Sequence, residues 1–221
     1  MSEISTQHNE VLAKLSAASK RAGAEKTAAL VAVSKVQPDD RIAEMLKTGQ
    51  RIFGENRVQE AQTRWGETFA DHRGDVELRL IGPLQTNKAA DAVALFDVIE
   101  TLDREKLLKA LVKAAADQGR SLRLYVQVNT GAEAQKSGVL PANLPEFLKL
   151  MRETYDLEPE GLMCIPPANE AASPHFWLLS NLAKDNGVEK LSMGMSGDYE
   201  IAAEMGATSV RVGSALFGAR A

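Results

Sequence analysis

Eight short apolar runs alternate with segments of helical periodicity along this chain of 221 residues. The predicted strands cover residues 30–35, 51–54, 77–82, 98–102, 123–129, 160–165, 190–194 and 208–213. Regular alternation of strands and helices predicts right-handed βαβ units, and therefore an α/β fold with a parallel sheet. Eight such units close a (β/α)8 TIM barrel, and the chain length lies in the size range of that architecture. We therefore predict a single barrel domain over residues 1–221.

The helical segments have recognisable ends. A helix near 103–118 carries an apolar stripe and is followed by Gly119, where a left-handed cap would fall. A helix near 38–48 begins at a proline and has acidic residues in its first turn. A further helix near 5–21 precedes the first strand, so the predicted barrel has an extra N-terminal helix. The side chains expected to face inward from this helix are Val11, Leu12 and Leu15.

An open, doubly wound sheet is the competing α/β architecture. It is disfavoured because no G-x-G-x-x-G pattern follows the first predicted strand. Eight strands in a chain of this length also leave little material for a second domain. The closed barrel is therefore the architecture that the sequence favours.

Composition argues against several classes of partner. The net charge of -4 disfavours a nucleic-acid ligand, because neutralising phosphates requires a basic surface. No apolar stretch is long enough to cross a bilayer, and no basic run indicates binding to a membrane surface. The single cysteine excludes an internal disulfide, and the polar N-terminus lacks the features of a signal peptide. We expect a cytoplasmic monomer with no nucleic-acid partner and no membrane partner.

Lys35 ends the first predicted strand, just before the helix that begins near Pro38. It should therefore lie at the carboxyl end of the barrel strands, where this architecture builds its active sites. A lysine at the end of a buried strand is costly unless it is paired or used. Its amine could form a Schiff base with an aldehyde, which requires the neutral amine that desolvation favours. The segment alone favours a plainer interpretation, in which the amine reaches solvent beside a carboxylate.

Small residues mark the ends of the seventh and eighth predicted strands, in the segments 191–198 and 210–218. Small residues let backbone N–H groups approach an anion, and a following helix adds its dipole. Barrels often bind phosphate between the loops after these two strands. Either segment alone could be an ordinary glycine-containing turn, but the two together predict a phosphate site.

Polar residues also follow the second predicted strand, on the same rim as Lys35. Asn56 could form a hydrogen bond with a ring hydroxyl or carbonyl, or it could be the N-cap of the next helix. Glu55 could be a base or the ion-pair partner of Arg57. These residues extend the predicted site from one strand end to its neighbour.

Six segments of the chain match the motifs of a known family, in the order of that family. They are Val31–Lys35, Phe53–Asn56, Ile81–Lys88, Lys136–Val139, Gly161–Met163 and Leu191–Ser196. The chain resembles the pyridoxal 5′-phosphate (PLP) homeostasis proteins, a family similar to the N-terminal barrel of alanine racemase. The resemblance extends from Leu30 to Gly218. It implies the fold-type III architecture of PLP-binding barrels and a role in PLP (vitamin B6) homeostasis.

The resemblance also implies a set of cofactor contacts. Lys35 would hold PLP as an internal aldimine, and Asn56 would contact the ring region. Arg211 would lie near the pyridine nitrogen, where a permanent cation opposes ring protonation; the alternative for Arg211 is a structural ion pair inside the barrel. The residues implied for the phosphate are Ser196, Gly213 and Ser214.

The chain departs from the family pattern at two positions. Pro83 stands where many members carry histidine, so no role of that histidine can be carried over. Gly197 replaces a residue that is commonly larger or acidic. The second departure leaves the implied phosphate-binding residues unchanged.

Racemisation requires two bases, one on each face of the substrate α-carbon. The related racemases take the second base, a tyrosine, from a further β-domain of a partner subunit, and no segment for such a domain is evident here. The chain's own tyrosines are predicted on a strand, at a helix end and on a helix surface, and are Tyr125, Tyr155 and Tyr199. We therefore expect a PLP carrier or regulator without catalytic residues, with apo PLP-dependent enzymes as candidate partners. A PLP-dependent racemase or lyase is the alternative.

A Schiff-base aldolase acting on a phosphorylated substrate is the rival from a different class. It would also need a barrel, a lysine and a phosphate site, but usually has a second lysine or an acid beside the first. Lys88 and Lys136 are the available lysines, and we expect both on solvated loops.

No metal site is expected, because His8, His72 and His175 lack the spacing of metal ligands and should face solvent. Cys164, near the end of the sixth predicted strand, should be a buried small apolar residue. Neither residue type therefore indicates a catalytic centre of its own.

Overall fold

The computed structural model describes residues 2–218, and these form one closed barrel of eight parallel strands. The strands are β1 (Ala29–Val33), β2 (Ile52–Glu55), β3 (Glu77–Leu80), β4 (Val98–Leu102), β5 (Leu124–Val128), β6 (Gly161–Cys164), β7 (Lys190–Ser192) and β8 (Ser209–Val212). Each strand pairs with the next along the chain, and β8 closes the barrel on β1, where Val31 aligns with Arg211. The predicted (β/α)8 architecture is confirmed. The predicted domain of residues 1–221 includes residues 1 and 219–221, which lie outside the described part.

Helices connect the strands and surround the barrel. They are α1 (Glu3–Arg21), α2 (Asp39–Lys47), α3 (Val58–Thr63), α4 (Ala89–Leu95), α5 (Glu105–Gln118), α6 (Leu144–Tyr155), α7 (Ala172–Asp185), α8 (Tyr199–Glu204) and α9 (Ser214–Phe217). A π-helical turn (Arg64–Thr68) continues α3, and 3-10 turns span Ala70–Asp75, Thr86–Lys88 and Pro141–Asn143. Gly119 ends α5 with a φ of 61°, as the predicted left-handed cap. None of the helices formed by residues 2–218 has the length and apolar character needed to cross a membrane.

The helix α1 is the predicted additional N-terminal helix, and it packs against α8 and α9. Val11 and Leu15 lie on its buried face, as predicted, whereas Leu12 is 37% exposed. Each helical residue is rotated by about 100° from the one before it. Leu12 directly follows Val11, so it turns to the edge of the buried face. The prediction that Leu12 faces inward is therefore wrong.

Apolar side chains fill two layers of the structure. The larger core lies between strands and helices, where the rings of Phe53 and Trp65 are 4.9 Å apart. A separate small cluster consists of Val98, Tyr125 and Met163. Side chains alternate between the two sides of barrel strands, which places this cluster inside the barrel. The interior also contains charged groups, since Arg79 lies 2.9 Å from Glu100.

Several strands are shorter at their carboxyl ends than predicted. The strand β1 ends at Val33, because the N–H of Ser34 makes the last bond of the ladder, to the carbonyl of Gly54. The N–H of Gln37 then bonds to the carbonyl of Ser34 at 3.1 Å and closes a tight turn. Lys35 therefore lies in a turn two residues beyond β1, and not within the strand.

Three side chains that were predicted at the surface are buried. They are His8, His175 and Tyr199. The ring Nε2 of His8 lies 3.2 Å from Oε1 of Gln50, a residue 42 positions away in the sequence. Partners this distant cannot be identified from local periodicity, which explains why these predictions are wrong. Tyr155, by contrast, lies at the end of α6, as predicted.

Candidate functional site

A cavity of about 370 Å³ lies at the carboxyl ends of the barrel strands. The six residues that the sequence suggested as cofactor contacts all line it: Lys35, Asn56, Ser196, Arg211, Gly213 and Ser214. Apolar side chains complete much of the wall, and these were not predicted: Val33, Ile81, Ile165 and Met195. Their positions at strand ends could have indicated that they line the cavity, but apolar residue types give no indication of binding or catalysis. The cavity combines an apolar wall with an amine, an amide, a guanidinium group and two hydroxyls.

A larger groove, of about 780 Å³, lies outside the barrel beside α6. Its charged side chains are mostly acidic, and include Asp103, Glu105, Glu146 and Glu153 beside the single Lys149. Such a lining repels an anionic ligand. The cavity at the strand ends is therefore the better candidate for a small-molecule site.

Lys35 lines the cavity from the turn that follows β1. Lys35 is itself partly buried, and it lies between the buried Ser34 and the exposed Val36. A lysine amine in the wall of a cavity can attack the carbonyl carbon of a bound aldehyde when the amine is neutral. The position therefore suits covalent attachment of an aldehyde ligand.

Asn56 lies immediately after β2 and offers an unpaired acceptor. Its Oδ1 is buried and has no hydrogen-bond partner within residues 2–218. The cap position of α3 is occupied by Arg57, so Asn56 is not the helix cap that the sequence left open. Gly82 makes room for this arrangement, because an added Cβ there would lie 2.2 Å from the backbone oxygen of Asn56. A buried oxygen without a donor is costly, so a ligand hydroxyl or N–H would be favoured here.

Glu55 is the partner of Arg64 and not of Arg57. Its Oε1 lies 2.8 Å from Nη1 of Arg64 and accepts hydrogen bonds from Ser34 Oγ at 2.7 Å and Trp65 Nε1 at 3.2 Å. Burial raises the pKa of Glu55 above its usual value, although the charge of Arg64 opposes the shift. The carboxylate faces the surrounding helices and does not line the cavity. Glu55 is therefore a structural anchor and not a base within the site.

Ser196 and the first residues of α9 form a polar cradle at the ends of β7 and β8. The hydroxyl oxygen of Ser196 accepts hydrogen bonds from the backbone N–H groups of Gly213, at 3.1 Å, and Ala215, at 3.3 Å. Two amides thus converge on one oxygen at the cavity wall, an arrangement that also suits a phosphate oxygen. The fold brings together the two segments that the sequence predicted as an anion site.

The glycines in and beside this cradle differ in whether a side chain would fit in their place. Gly194 has a φ of 92°, and an added Cβ would lie 2.4 Å from the Cβ of Ala202. At Gly213 an added Cβ would meet Val33 at 3.5 Å, an ordinary contact distance, and at Gly197 it would meet no atom within 4 Å. Glycine is therefore required at position 194, whereas a larger residue would fit at position 197.

Arg211 lines the floor of the cavity and is almost completely buried. Its Nη1 donates a hydrogen bond to Ser192 Oγ at 2.6 Å, and its Nη2 donates to the carbonyl of Cys164 at 2.7 Å. Ser192 donates in turn to Glu100 at 2.6 Å, and Nη1 of Arg211 lies 3.9 Å from the same carboxylate. Arg211 thus belongs to an ionic network inside the barrel and also faces the cavity.

The two other lysines considered from the sequence lie outside this cavity. Lys88 ends a 3-10 turn and pairs with an aspartate of α4 at 3.3 Å. Lys136 lines a second cavity, of about 270 Å³, in the loop region after β5, together with Pro83. The second cavity adjoins the first, since Ile81 and Ile165 line both. Lys35 is therefore the lysine that the first cavity offers.

Metal-binding side chains are not grouped in the described part of the chain. Within residues 2–218, no set of three or more His, Cys, Asp or Glu side chains could hold a metal ion. His72 is exposed, as predicted, while His175 bonds to Thr130 and Glu170, at 3.1 Å in each case.

Sequence comparison identifies relatives over almost the whole chain. The family described as "Alanine racemase, N-terminal domain" matches residues 9–221. A pyridoxal phosphate homeostasis protein of Vibrio cholerae is 37% identical and covers 100% of this chain and 98% of its own length. The protein of the same name from Vibrio alginolyticus is 41% identical over 86% of each chain.

Structural comparison agrees with the sequence comparison. PipY of Synechococcus elongatus, solved with PLP bound, is 33% identical, with a TM-score of 0.83 over 98% of this chain and 100% of PipY. The alanine racemase of Bartonella henselae is 13% identical, with a TM-score of 0.70 over 95% of this chain and 58% of the racemase. The racemase shares the barrel fold and extends well beyond it.

Proposed function

The chain belongs to the alanine racemase N-terminal domain family, and we propose from this that it binds PLP and serves PLP (vitamin B6) homeostasis without substantial catalysis. The observation that carries the proposal is the cavity that unites Lys35, Arg211 and the amides beside Ser196. The homeostasis proteins among its relatives and the PLP complex of PipY support the same ligand.

The groups that line the cavity fit the functional groups of PLP. Lys35 would bond to the aldehyde carbon, and the unpaired Oδ1 of Asn56 would accept from a donor near the ring. The phosphate would be held by Ser196, Gly213 and Ser214. When bound, PLP supplies a reactive aldehyde and an aromatic ring that withdraws electrons from an attached amine. The apolar side chains of the wall would pack against that ring.

Arg211 favours a carrier over a catalyst in this proposal. Its guanidinium is fixed at the cavity floor by its hydrogen bonds to Ser192 and Cys164. Beside a ring nitrogen, a permanent cation would disfavour protonation of that nitrogen and weaken electron withdrawal by the ring. Acceleration of chemistry at a substrate α-carbon would then be small.

The described residues also offer no tyrosine as a second base in the cavity. Tyr125 lies inside the barrel, Tyr155 ends α6, and Tyr199 is buried at the start of α8. None of the three lines the cavity of Lys35. Since racemisation needs a base on each face of the α-carbon, the site supports binding and exchange of PLP better than racemisation.

An aldolase would use the same lysine and the same anion cradle, but the cavity supports it less well. Lys88 and Lys136 lie outside the cavity, and the carboxylate of Glu55 faces away from it. Neither of these two lysines nor Glu55 is therefore placed in the cavity to shuttle a proton. Apo PLP-dependent enzymes are the partners we propose for delivery of the cofactor.

The proposal is tested by the absorbance of the purified protein before and after borohydride reduction. A covalent PLP–lysine adduct absorbs visible light, and reduction should fix the label on Lys35, as shown by peptide mapping. Amino-acid racemisation should stay far below enzymatic rates of about 1 per second. Turnover at such rates that is lost in Lys35→Ala would show that the protein is an enzyme and not a carrier. A colourless protein that labels only with phosphorylated carbonyl sugars would indicate the aldolase.

A further inference from the structure

The turn that carries Lys35 contains a strained residue. Val36 has a φ of 57°, in the left-handed region that β-branched residues strongly disfavour. It stands third in the tight turn of residues 34–37, a position where a positive φ favours glycine or asparagine. Its side chain is 70% exposed, so its own packing cannot account for this conformation. Contacts from elsewhere must hold the turn.

These contacts come from α3 and the π-helical turn that follows it. Arg64 donates hydrogen bonds to the carbonyl of Ser34, at 3.2 Å, and to the carbonyl of Gln37, at 2.9 Å. Glu60 accepts a hydrogen bond of 2.6 Å from the backbone N–H of Val36. Both ends of the turn and the strained residue within it are therefore bound by two side chains.

Arg64 and Glu60 also bind each other and the barrel. Their side chains form an ion pair at 3.2 Å, and Arg64 bonds at 2.8 Å to Glu55 at the end of β2. Glu55 also accepts from Ser34, the first residue of the turn. Glu55 belongs to the barrel strand β2, and it therefore ties the pair that holds the turn to the barrel.

We propose that Arg64 and Glu60 are positioning residues for Lys35. They hold Val36 in a conformation that it would otherwise leave, and so keep the preceding residue at the cavity wall. The inference rests on the proposed attachment of PLP to Lys35, and it assigns to residues outside the cavity a role in how firmly PLP is held. Neither residue touches the ligand in this proposal.

The Glu60→Ala variant tests this role through two ligands. PLP can bond to the lysine, whereas pyridoxine 5′-phosphate has the same ring and phosphate but no aldehyde. If Glu60 positions Lys35, the substitution should lower the affinity for PLP about tenfold, because a charge-assisted hydrogen bond is lost. The release of PLP should be faster by a similar factor. Pyridoxine 5′-phosphate should bind as it does to wild type. A general collapse of the site would weaken both ligands alike.

A second substitution tests whether strain at Val36 is the cause. Asparagine adopts the left-handed conformation far more readily than valine, and position 36 is exposed. Val36→Asn in the Glu60→Ala background should therefore restore most of the PLP affinity. Glu67→Ala is the matched control, because Glu67 is an exposed acid in the π-helical turn that directly follows α3. It should behave as wild type.

The outcomes separate the inference from the function on which it rests. A wild-type protein labelled at Lys35, together with a Glu60→Ala variant that binds PLP normally, would overturn the positioning role alone. So would equal weakening of both ligands, or failure of Val36→Asn to restore PLP binding. A wild-type protein with no label at Lys35 would overturn both. If Glu60→Ala does not fold, Glu60→Gln takes its place in the test. The glutamine retains an acceptor for the N–H of Val36 but loses the ion pair with Arg64, so PLP release should be faster than from wild type.

Discussion

Arg211 donates a hydrogen bond of 2.6 Å to the hydroxyl of Ser192, and both side chains are buried inside the barrel. The same hydroxyl donates to Glu100, whose other oxygen lies 2.9 Å from Arg79. Ser192 therefore links Arg211, which faces the cavity, to the ion pair of Glu100 and Arg79 inside the barrel. Removal of any one of these side chains would leave its neighbours with unsatisfied hydrogen-bonding groups. The network therefore stabilises the fold and also fixes the position of Arg211.

We predict that Ser192→Ala lowers the free energy of unfolding by about 2–3 kcal/mol, since two charged groups each lose a buried hydrogen bond. Ser209→Ala is the control, because the Oγ of Ser209 lies at the longer distance of 3.4 Å from Arg79. It should cost less than Ser192→Ala. Urea denaturation of both variants measures the difference, and equal losses would show that the network does not depend on the Ser192 link.

Lys35→Ala should abolish the visible absorbance and the borohydride-stable label. The barrel should remain folded, because the residue lies in a turn beyond β1 and leaves no core cavity when truncated. Circular dichroism and a thermal melt check the fold, and Lys136→Ala is the control from the adjoining cavity. A Lys35→Ala protein that stays yellow, with label on another lysine, would show that the attachment site is elsewhere.

Ser196→Ala should weaken PLP about tenfold, because the variant loses a hydroxyl where two backbone amides converge. Pyridoxal, which lacks the phosphate, should be affected far less. Gly213→Ala keeps the backbone N–H and its added Cβ has room beside Val33, so PLP binding should be retained. Equilibrium titration with both ligands provides the measurement. Equal losses for PLP and pyridoxal would contradict a phosphate site at Ser196.

Much of the fold could be predicted from the sequence, because eight apolar runs with intervening amphipathic helices leave few alternatives to a closed barrel. The strand ends were less accurate. A ladder ends where the neighbouring strand stops offering a partner, as the last bond from Ser34 to Gly54 shows. Local sequence carries no information on that partner.

Most of the predicted cavity residues follow a barrel strand, and they were predictable because strand ends meet on one rim. Arg211 lies within β8 and was suggested only by the family resemblance. The groups that hold the cavity residues in place were not predictable. Arg64 contacts Ser34 across 30 positions and Glu100 contacts Ser192 across 92. Periodicity reports which face of an element is buried, but not which polar group it meets there. The buried polar contacts therefore became visible only in the folded structure.

Cys164 should be unreactive in the folded protein. Burial raises the pKa of its thiol to about 12, even though the nearby charge of Arg211 favours the thiolate. At pH 8 almost no thiolate is present, and the sulfur is shielded from reagents. A chromogenic disulfide reagent should therefore titrate no thiol in the native state and one thiol in denaturant, since the sequence holds a single cysteine. Rapid native labelling would show that β6 opens readily to solvent.

Glu160 should make the stability of the barrel sensitive to acid. Partial burial opposes ionisation of Glu160, but hydrogen bonds from Arg123 and Lys190 and their charges outweigh it and lower its pKa to about 2. A carboxyl whose pKa is lower in the folded state stabilises the fold above its unfolded pKa, about 4.3, and loses this contribution as the pH falls toward 2. Both basic partners are substantially exposed, so we expect the contribution to be about 1–2 kcal/mol.

Glu160→Gln should therefore be less stable than wild type from pH 7 down to about 5, by a constant amount. Below that range the two proteins should converge, because the wild-type carboxyl becomes protonated. Glu158→Gln is the matched control, since Glu158 is an exposed acid two positions away. It should differ little from wild type at pH 7. Urea denaturation across this pH range provides the test, and a difference between Glu160→Gln and wild type that widens in acid would contradict the proposed role of Glu160.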